Sequence, residues 1–120
     1  MRLRAVRGAT TVGEDTKAEI IAATAELLEE MLQRNELDRE DLVSIIFTAT
    51  PDLRAEFPAA AARGIGISDV PLLCARELDV EDAIGRCIRV LMHVYTDRDL
   101  QSLRHVYLGD ARQLRTDLPE

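Results

Sequence analysis

Four polar side chains stand where their surroundings should make them costly. Arg89 interrupts the apolar run Cys87-Ile88-Arg89-Val90-Leu91-Met92-His93-Val94. A guanidinium among apolar strand residues must be paired, exposed or used. Arg7 stands at the end of a β-rich segment, beside Gly8. Glu77 follows the apolar stretch that contains Cys74, and Tyr107 lies inside the last apolar run, where a buried hydroxyl needs a partner. Together they supply cations for anionic groups, one carboxylate and a neutral donor. A plainer reading stands beside this one: Arg89 faces solvent on a half-exposed strand, and Glu77 caps the segment that follows.

Other chemistries lack their residues. Gly64-Ile65-Gly66 has only two glycines and no following Lys-Ser/Thr, so it makes no phosphate loop. His93 and His105 have no Cys or second His at ligand spacing, so no metal is expected. No Ser-His-Asp or Cys-His pairing can be argued from the chain alone.

The elements that would position these residues follow from periodicity. Residues 2–11 alternate roughly and read as a strand ending near Gly8. Thr16 and Glu19 fit a capping box. Ile20, Ala23, Thr24, Leu27, Leu28, Met31 and Leu32 then recur at helical spacing, so residues 16–34 form one amphipathic helix, which Asn35 stops. A short helical turn is expected over 38–41. Residues 42–50 are a near-continuous apolar run, read as a strand buried on both faces and ended by Pro51. Pro58 opens a short helix that Gly64 or Gly66 closes. Further strands are expected over 70–75, 87–95 and 105–108, with a helix over 79–86 and one helical turn over 111–115. The order is β-α-β-α-β-α-β-β: an α+β fold, a mixed β-sheet covered by helices on one face. The other face must be buried elsewhere, plausibly against identical neighbours. Residues 1–115 form a single domain and 116–120 a polar C-terminal tail.

The chain has 120 residues, 15 basic and 22 acidic, a formal charge of −7, with 47% hydrophobic residues. That is one ordinary globular domain, neither disordered nor low-complexity. The acidic balance argues against nucleic acid as a partner. Fourteen of the 15 cations are arginine, Lys17 being the one lysine; codon bias accounts for the ratio, and the position of each arginine is more informative. No apolar run nears the ~18–20 residues that span a bilayer, so no membrane partner is expected. The charged N-terminus is no secretory leader. The two cysteines, Cys74 and Cys87, both lie in apolar runs, which suggests a reduced, cytoplasmic setting.

Five ordered segments carry a family resemblance: Arg7-Gly8-Ala9-Thr10-Thr11, Ala49-Thr50-Pro51-Asp52-Leu53, Phe57-Pro58-Ala59, Cys87-Ile88-Arg89-Val90 and Arg104-His105-Val106-Tyr107-Leu108. From Arg2 to about Leu118 the chain resembles the small monofunctional chorismate mutases of the bacterial trimeric, non-helical type. The resemblance implies three subunits forming a pseudo-α/β barrel, with sheets inside, helices outside and active sites between adjacent subunits. It implies the Claisen rearrangement of chorismate to prephenate, on the route to phenylalanine and tyrosine, with no cofactor, metal or covalent intermediate.

Carried over by position, Arg89 matches the arginine that contacts the ether oxygen and a carboxylate. Arg7 matches a carboxylate binder, and Tyr107 the phenol that donates to a carboxylate. Glu77 matches the acceptor of the ring hydroxyl, and Cys74 the thiol beside it. Phe57 matches an apolar wall, and Arg63 a cation near the mouth. Leu114 and Arg115 match a tail segment that closes over the site. The family often has a lysine three residues after the Phe; here the position is Ala60, so the entrance lacks that charge. Plainer roles remain: Cys74 as a core thiol, Arg63 as a helix-end charge. Two rival functions also remain, a trimeric carboxylate-binding sensor and a trimeric imine/enamine hydrolase, although the five segments do not match the latter.

Overall fold

In the computed structural model, residues 1–114 are described. Five strands form one mixed sheet in the order β3-β2-β4-β1-β5. They are β1 (Arg2–Thr11), β2 (Leu42–Ala49), β3 (Leu72–Arg76), β4 (Cys87–Thr96) and β5 (Val106–Tyr107). The central pairs β1–β4 and β2–β4 are antiparallel, and the outer pairs β2–β3 and β1–β5 are parallel. The helices are α1 (Lys17–Arg34) and α2 (Ala59–Gly64).

The apolar stripe of α1 buries Ile20, Thr24, Leu27, Leu28, Met31 and Leu32, the face expected from the spacing. Thr16 caps the helix by accepting the Glu19 N–H at 3.2 Å. The reciprocal half of the box is absent: the Glu19 carboxylate instead accepts the Gly13 N–H at 3.1 Å. At the other end, buried Asn35 does more than stop the helix. Its amide donates to the carbonyls of Met31 and Arg104, and its Oδ1 accepts the Arg104 N–H at 2.7 Å. That tie fixes the segment leading into β5.

One sheet face meets the helices. Ile45, Phe47, Val90, Met92, Val94, Val6 and Val106 pack there with Leu27, Leu28, Met31, Ala59 and Ala62. Gly8 belongs to this face. A Cβ there would stand 2.5 Å from Met31 Sδ and 3.1 Å from Leu27 Cδ1. The glycine is therefore a site of close approach rather than a strand end, and β1 runs three residues further because Gly8 and Ala9 pair with Val106 and Tyr107.

The opposite face carries Leu3, Ala5, Arg7, Ala9, Tyr107, Arg89, Leu91, His93, Tyr95, Ile46, Thr48 and Leu73, by strand alternation and register. Neither α1 nor α2 covers it; among the described residues only the short helical turn Gly109–Gln113 packs there, through Ala111 against Ala9 and Tyr107. Leu73 is 61% exposed and Tyr95 49%, an apolar surface that a single protomer leaves open. Strand β2 is thus buried on one face only, with Ser44, Ile46 and Thr48 half-buried on the other; this corrects the expectation of a strand buried on both faces.

The expected helix over 79–86 does not form. The segment is a loop with left-handed backbone at Asp82 (φ 64°) and Arg86 (φ 46°). Of its apolar residues at helical spacing, Val80 and Ala83 are exposed and only Ile84 packs, against the cluster of Ala9, Cys87, Tyr107 and Ala111, so there is no stripe to bury a helix. The loop is held instead by Asp52, which accepts the Arg86 N–H at 2.9 Å, and by a Val12 N–H to Arg86 carbonyl bond of 3.0 Å. Smaller shifts also occur: β3 begins at Leu72 rather than residue 70, and the last helical turn is Gly109–Gln113. No helix among the described residues is long and apolar enough to cross a membrane.

Candidate active site

The uncovered face holds a cavity of about 300 Å³ lined by Arg7, Gly8, Ala9, Ile46, Thr48, Glu77, Arg89, Val90, Leu91, Tyr107 and Leu114. Strand alternation puts Arg7, Arg89, Thr48 and Tyr107 on one side of four adjacent strands. The register then aligns them: Arg89 lies opposite Ala9 on one side and Thr48 on the other, while Ala9 lies opposite Tyr107. Five residues singled out in the sequence, Arg7, Glu77, Arg89, Tyr107 and Leu114, therefore share this cavity.

Arg89 does not simply face solvent. Its Nε stands 3.2 Å from Glu77 Oε2, with the two side chains 48% and 24% exposed. Thr48 Oγ1 donates to the same Glu77 oxygen at 2.8 Å, and the Leu78 N–H donates to Glu77 Oε1 at 3.1 Å. Glu77 itself extends the β2–β3 pairing, its N–H donating to the Ala49 carbonyl at 3.0 Å. Glu77 is thus fixed at backbone and carboxylate, and it does not cap a helix. Tyr107 is buried among Ala9, Cys87 and Ala111, with Leu114 packed against that cluster. Burial pushes the Cys87 thiol above its usual range, an effect the neighbouring Arg89 charge partly offsets, so Cys87 stays neutral in the cluster behind the cavity.

The backbone of Arg7 is held by a residue that no sequence pattern singled out. The buried imidazole of His105 accepts the Arg7 backbone N–H at Nδ1, 2.9 Å away. Burial and, secondarily, the Arg7 charge push its ionisation below the ordinary histidine value. Thr48 was equally unremarked. Its signal was present in outline, because a hydroxyl in an apolar strand run requires a partner.

The remaining expected residues lie elsewhere. Phe57 and Cys74 line a second groove of about 360 Å³ at the β3 edge, with Ala49, Thr50, Pro51, Leu53, Arg54, Pro58 and Arg76. Phe57 is 66% exposed there. The loop bearing Phe57 is tied down by Asp15, whose carboxylate accepts the N–H groups of Arg54 and Ala55, each at 3.0 Å. Arg63 sits exposed in the last turn of α2 and lines neither cavity. Arg115 lies outside the described residues. The single protomer therefore assembles the cationic set and the Phe57–Cys74 set in separate places. Among the described residues, no three His, Cys, Asp or Glu side chains are grouped to hold a metal ion.

A mixed sheet with helices on one face carries on the other a cavity that pairs two guanidinium groups with a fixed carboxylate and a phenol, the arrangement of an α+β protein with a site suited to a small anion. The chain belongs to the chorismate mutase type I family, whose model matches residues 3–118. It is 50% identical to the chorismate mutase AroH of Thermus thermophilus over 117 residues, 97% of this chain and 96% of that one. It is 46% identical to the chorismate mutase AroH of Bacillus subtilis over 119 residues, 98% of this chain and 94% of that one. A solved chorismate mutase from Clostridium thermocellum superposes with a TM-score of 0.91 at 50% identity, covering 92% of this chain and 98% of that one.

Proposed function

We propose that this protein is a chorismate mutase, an isomerase that rearranges chorismate to prephenate in aromatic amino-acid biosynthesis. Its substrate is a dianion with an ether oxygen and a ring hydroxyl. The reaction breaks a C–O bond as a C–C bond forms, and negative charge gathers on the ether oxygen in the transition state. Nothing needs to be protonated or attacked. The protein must hold the compact reactive conformer and place a fixed cation beside that oxygen.

The observation that carries this reading is the Arg89–Glu77–Thr48 arrangement, which presents a guanidinium fixed before substrate arrives. A guanidinium has five N–H donors, so engaging Nε leaves donors for the ether oxygen and a substrate carboxylate. Arg7 and Tyr107, across the cavity, bind the carboxylates. Glu77 accepts from the ring hydroxyl.

The Phe57–Cys74 groove completes the site from an adjacent subunit of a homotrimer, with Phe57 as apolar wall, Cys74 beside the ring hydroxyl and Arg63 near the mouth. Two facts support this: the cationic cavity opens on the uncovered sheet face, and the groove lies at the β3 edge of the same protomer, apart from it. Leu114, which lines the cavity, helps to close it. Residues 1–115 act as one domain, working as a soluble enzyme in the cytoplasm.

The test follows loss of the chorismate diene absorbance. The parent protein turns over; Arg89→Ala loses about 10²- to 10³-fold or more in kcat, as for other preorganised donors at a developing oxyanion. Arg89→Lys fails similarly, because an ammonium cannot reproduce the two-acceptor fork. Turnover near the parent level in either variant, with assembly unchanged, contradicts the mechanism. A parent that binds chorismate without consuming it is a sensor instead.

A further inference from the structure

Thr48 is the one hydroxyl in the cationic cavity that reaches the Glu77 carboxylate. It is the direct cross-strand partner of Arg89; its hydroxyl donates to Glu77 Oε2 at 2.8 Å, and the Arg89 Nε forms an ion pair with the same oxygen at 3.2 Å. Glu77 Oε1 is taken by the Leu78 N–H. The carboxylate is therefore held at three points, and the only adjustable neutral one is the Thr48 hydroxyl. Without it, Glu77 Oε2 would keep a single partner on a long, half-exposed arginine, and both side chains would gain rotamer freedom.

We infer that Thr48 is a positioning residue: its hydroxyl fixes the Glu77 carboxylate, and through it the guanidinium of Arg89, in the geometry that turnover requires. This rests on the proposed chorismate mutase activity, but the Thr48–Glu77 link is a physical claim of its own.

Two variants separate positioning from scaffolding. Valine matches threonine in shape and is the better strand former; serine keeps the hydroxyl and is the worse one. Thr48→Val should lower kcat about tenfold, the size of one lost charge-assisted hydrogen bond, with KM nearly unchanged. Thr48→Ser should restore turnover. A purely structural role gives the reverse order, with serine worse than valine, and overturns the inference; so does Thr48→Val with parental kcat. Nitrogen NMR relaxation of the Arg89 Nε–H reads the link without turnover. Greater mobility in Thr48→Val supports it, and unchanged order refutes it even if the parent proves inactive on chorismate. Thr48→Ala repeats the comparison should valine perturb the sheet.

Discussion

At the level of single residues, the groups that matter are held before any substrate is present. Arg89 is fixed by Glu77, Glu77 by Thr48 and by the Leu78 N–H, and the backbone of Arg7 by the His105 ring. The last bond gives a pH prediction. His105 accepts a hydrogen bond at Nδ1, and burial, with the Arg7 charge, holds its ionisation below the ordinary value of 6.5. As pH falls below that value the unfolded chain takes up the proton first, so stability declines from there toward the lower, folded value. Urea midpoints should fall between about pH 7 and about pH 5.5 in the parent. They should fall less in His105→Asn, which retains an acceptor and does not titrate; equal slopes would remove His105 from the account. The sequence revealed the cations because a guanidinium in an apolar run is conspicuous. Thr48 and His105 were not, because threonine and histidine are common in half-buried strands and their importance lies in a partner distant in sequence.

At the scale of elements, the long amphipathic helix and the central strands were legible because their periodicity is strong and each buries one continuous stripe. The segment over residues 79–86 was misread as a helix because Asp79 resembles a cap. Asp52, 34 residues before Arg86 in sequence, decides otherwise by accepting the Arg86 N–H from a left-handed backbone. Gly8 was misread in a related way. A strand glycine can mark an end or a close approach, and only the position of Met31 tells them apart. That contact sets a prediction. Gly8→Ala already places a Cβ 2.5 Å from Met31 Sδ and 3.1 Å from Leu27 Cδ1, both on flexible side chains, while Gly8→Val adds two methyl groups to the same space. The valine variant should lose about 2–3 kcal/mol in urea unfolding, in the range of other overpacked cores, and alanine clearly less. Because Arg7 adjoins Gly8, turnover should drop in Gly8→Val even where the protein is still folded. A valine variant as stable as the parent would show that α1 does not press on β1 as described.

At the scale of the whole molecule, the sheet has one face under helices and one face open, with Leu73 and Tyr95 exposed on the latter. That asymmetry was readable from the order of elements. The division of the site was not. Residues assigned together by family resemblance lie in two places on the protomer, Arg7, Glu77, Arg89, Tyr107 and Leu114 in one cavity and Phe57 with Cys74 in another groove. A linear sequence carries no mark of which subunit supplies each half. In the proposed trimer these halves meet across a subunit interface to make one chorismate site, and mixing of subunits tests that arrangement. Arg89→Ala removes the cavity half, and Cys74→Asp spoils the groove half by placing a carboxylate against a dianion; each variant alone should be nearly inactive. Unfolded together and refolded as a mixture, they should regain about a quarter of the parental turnover, since in a head-to-tail ring that share of interfaces pairs two intact halves. A mixture no more active than the two separate variants, although the subunits have exchanged, would contradict the account.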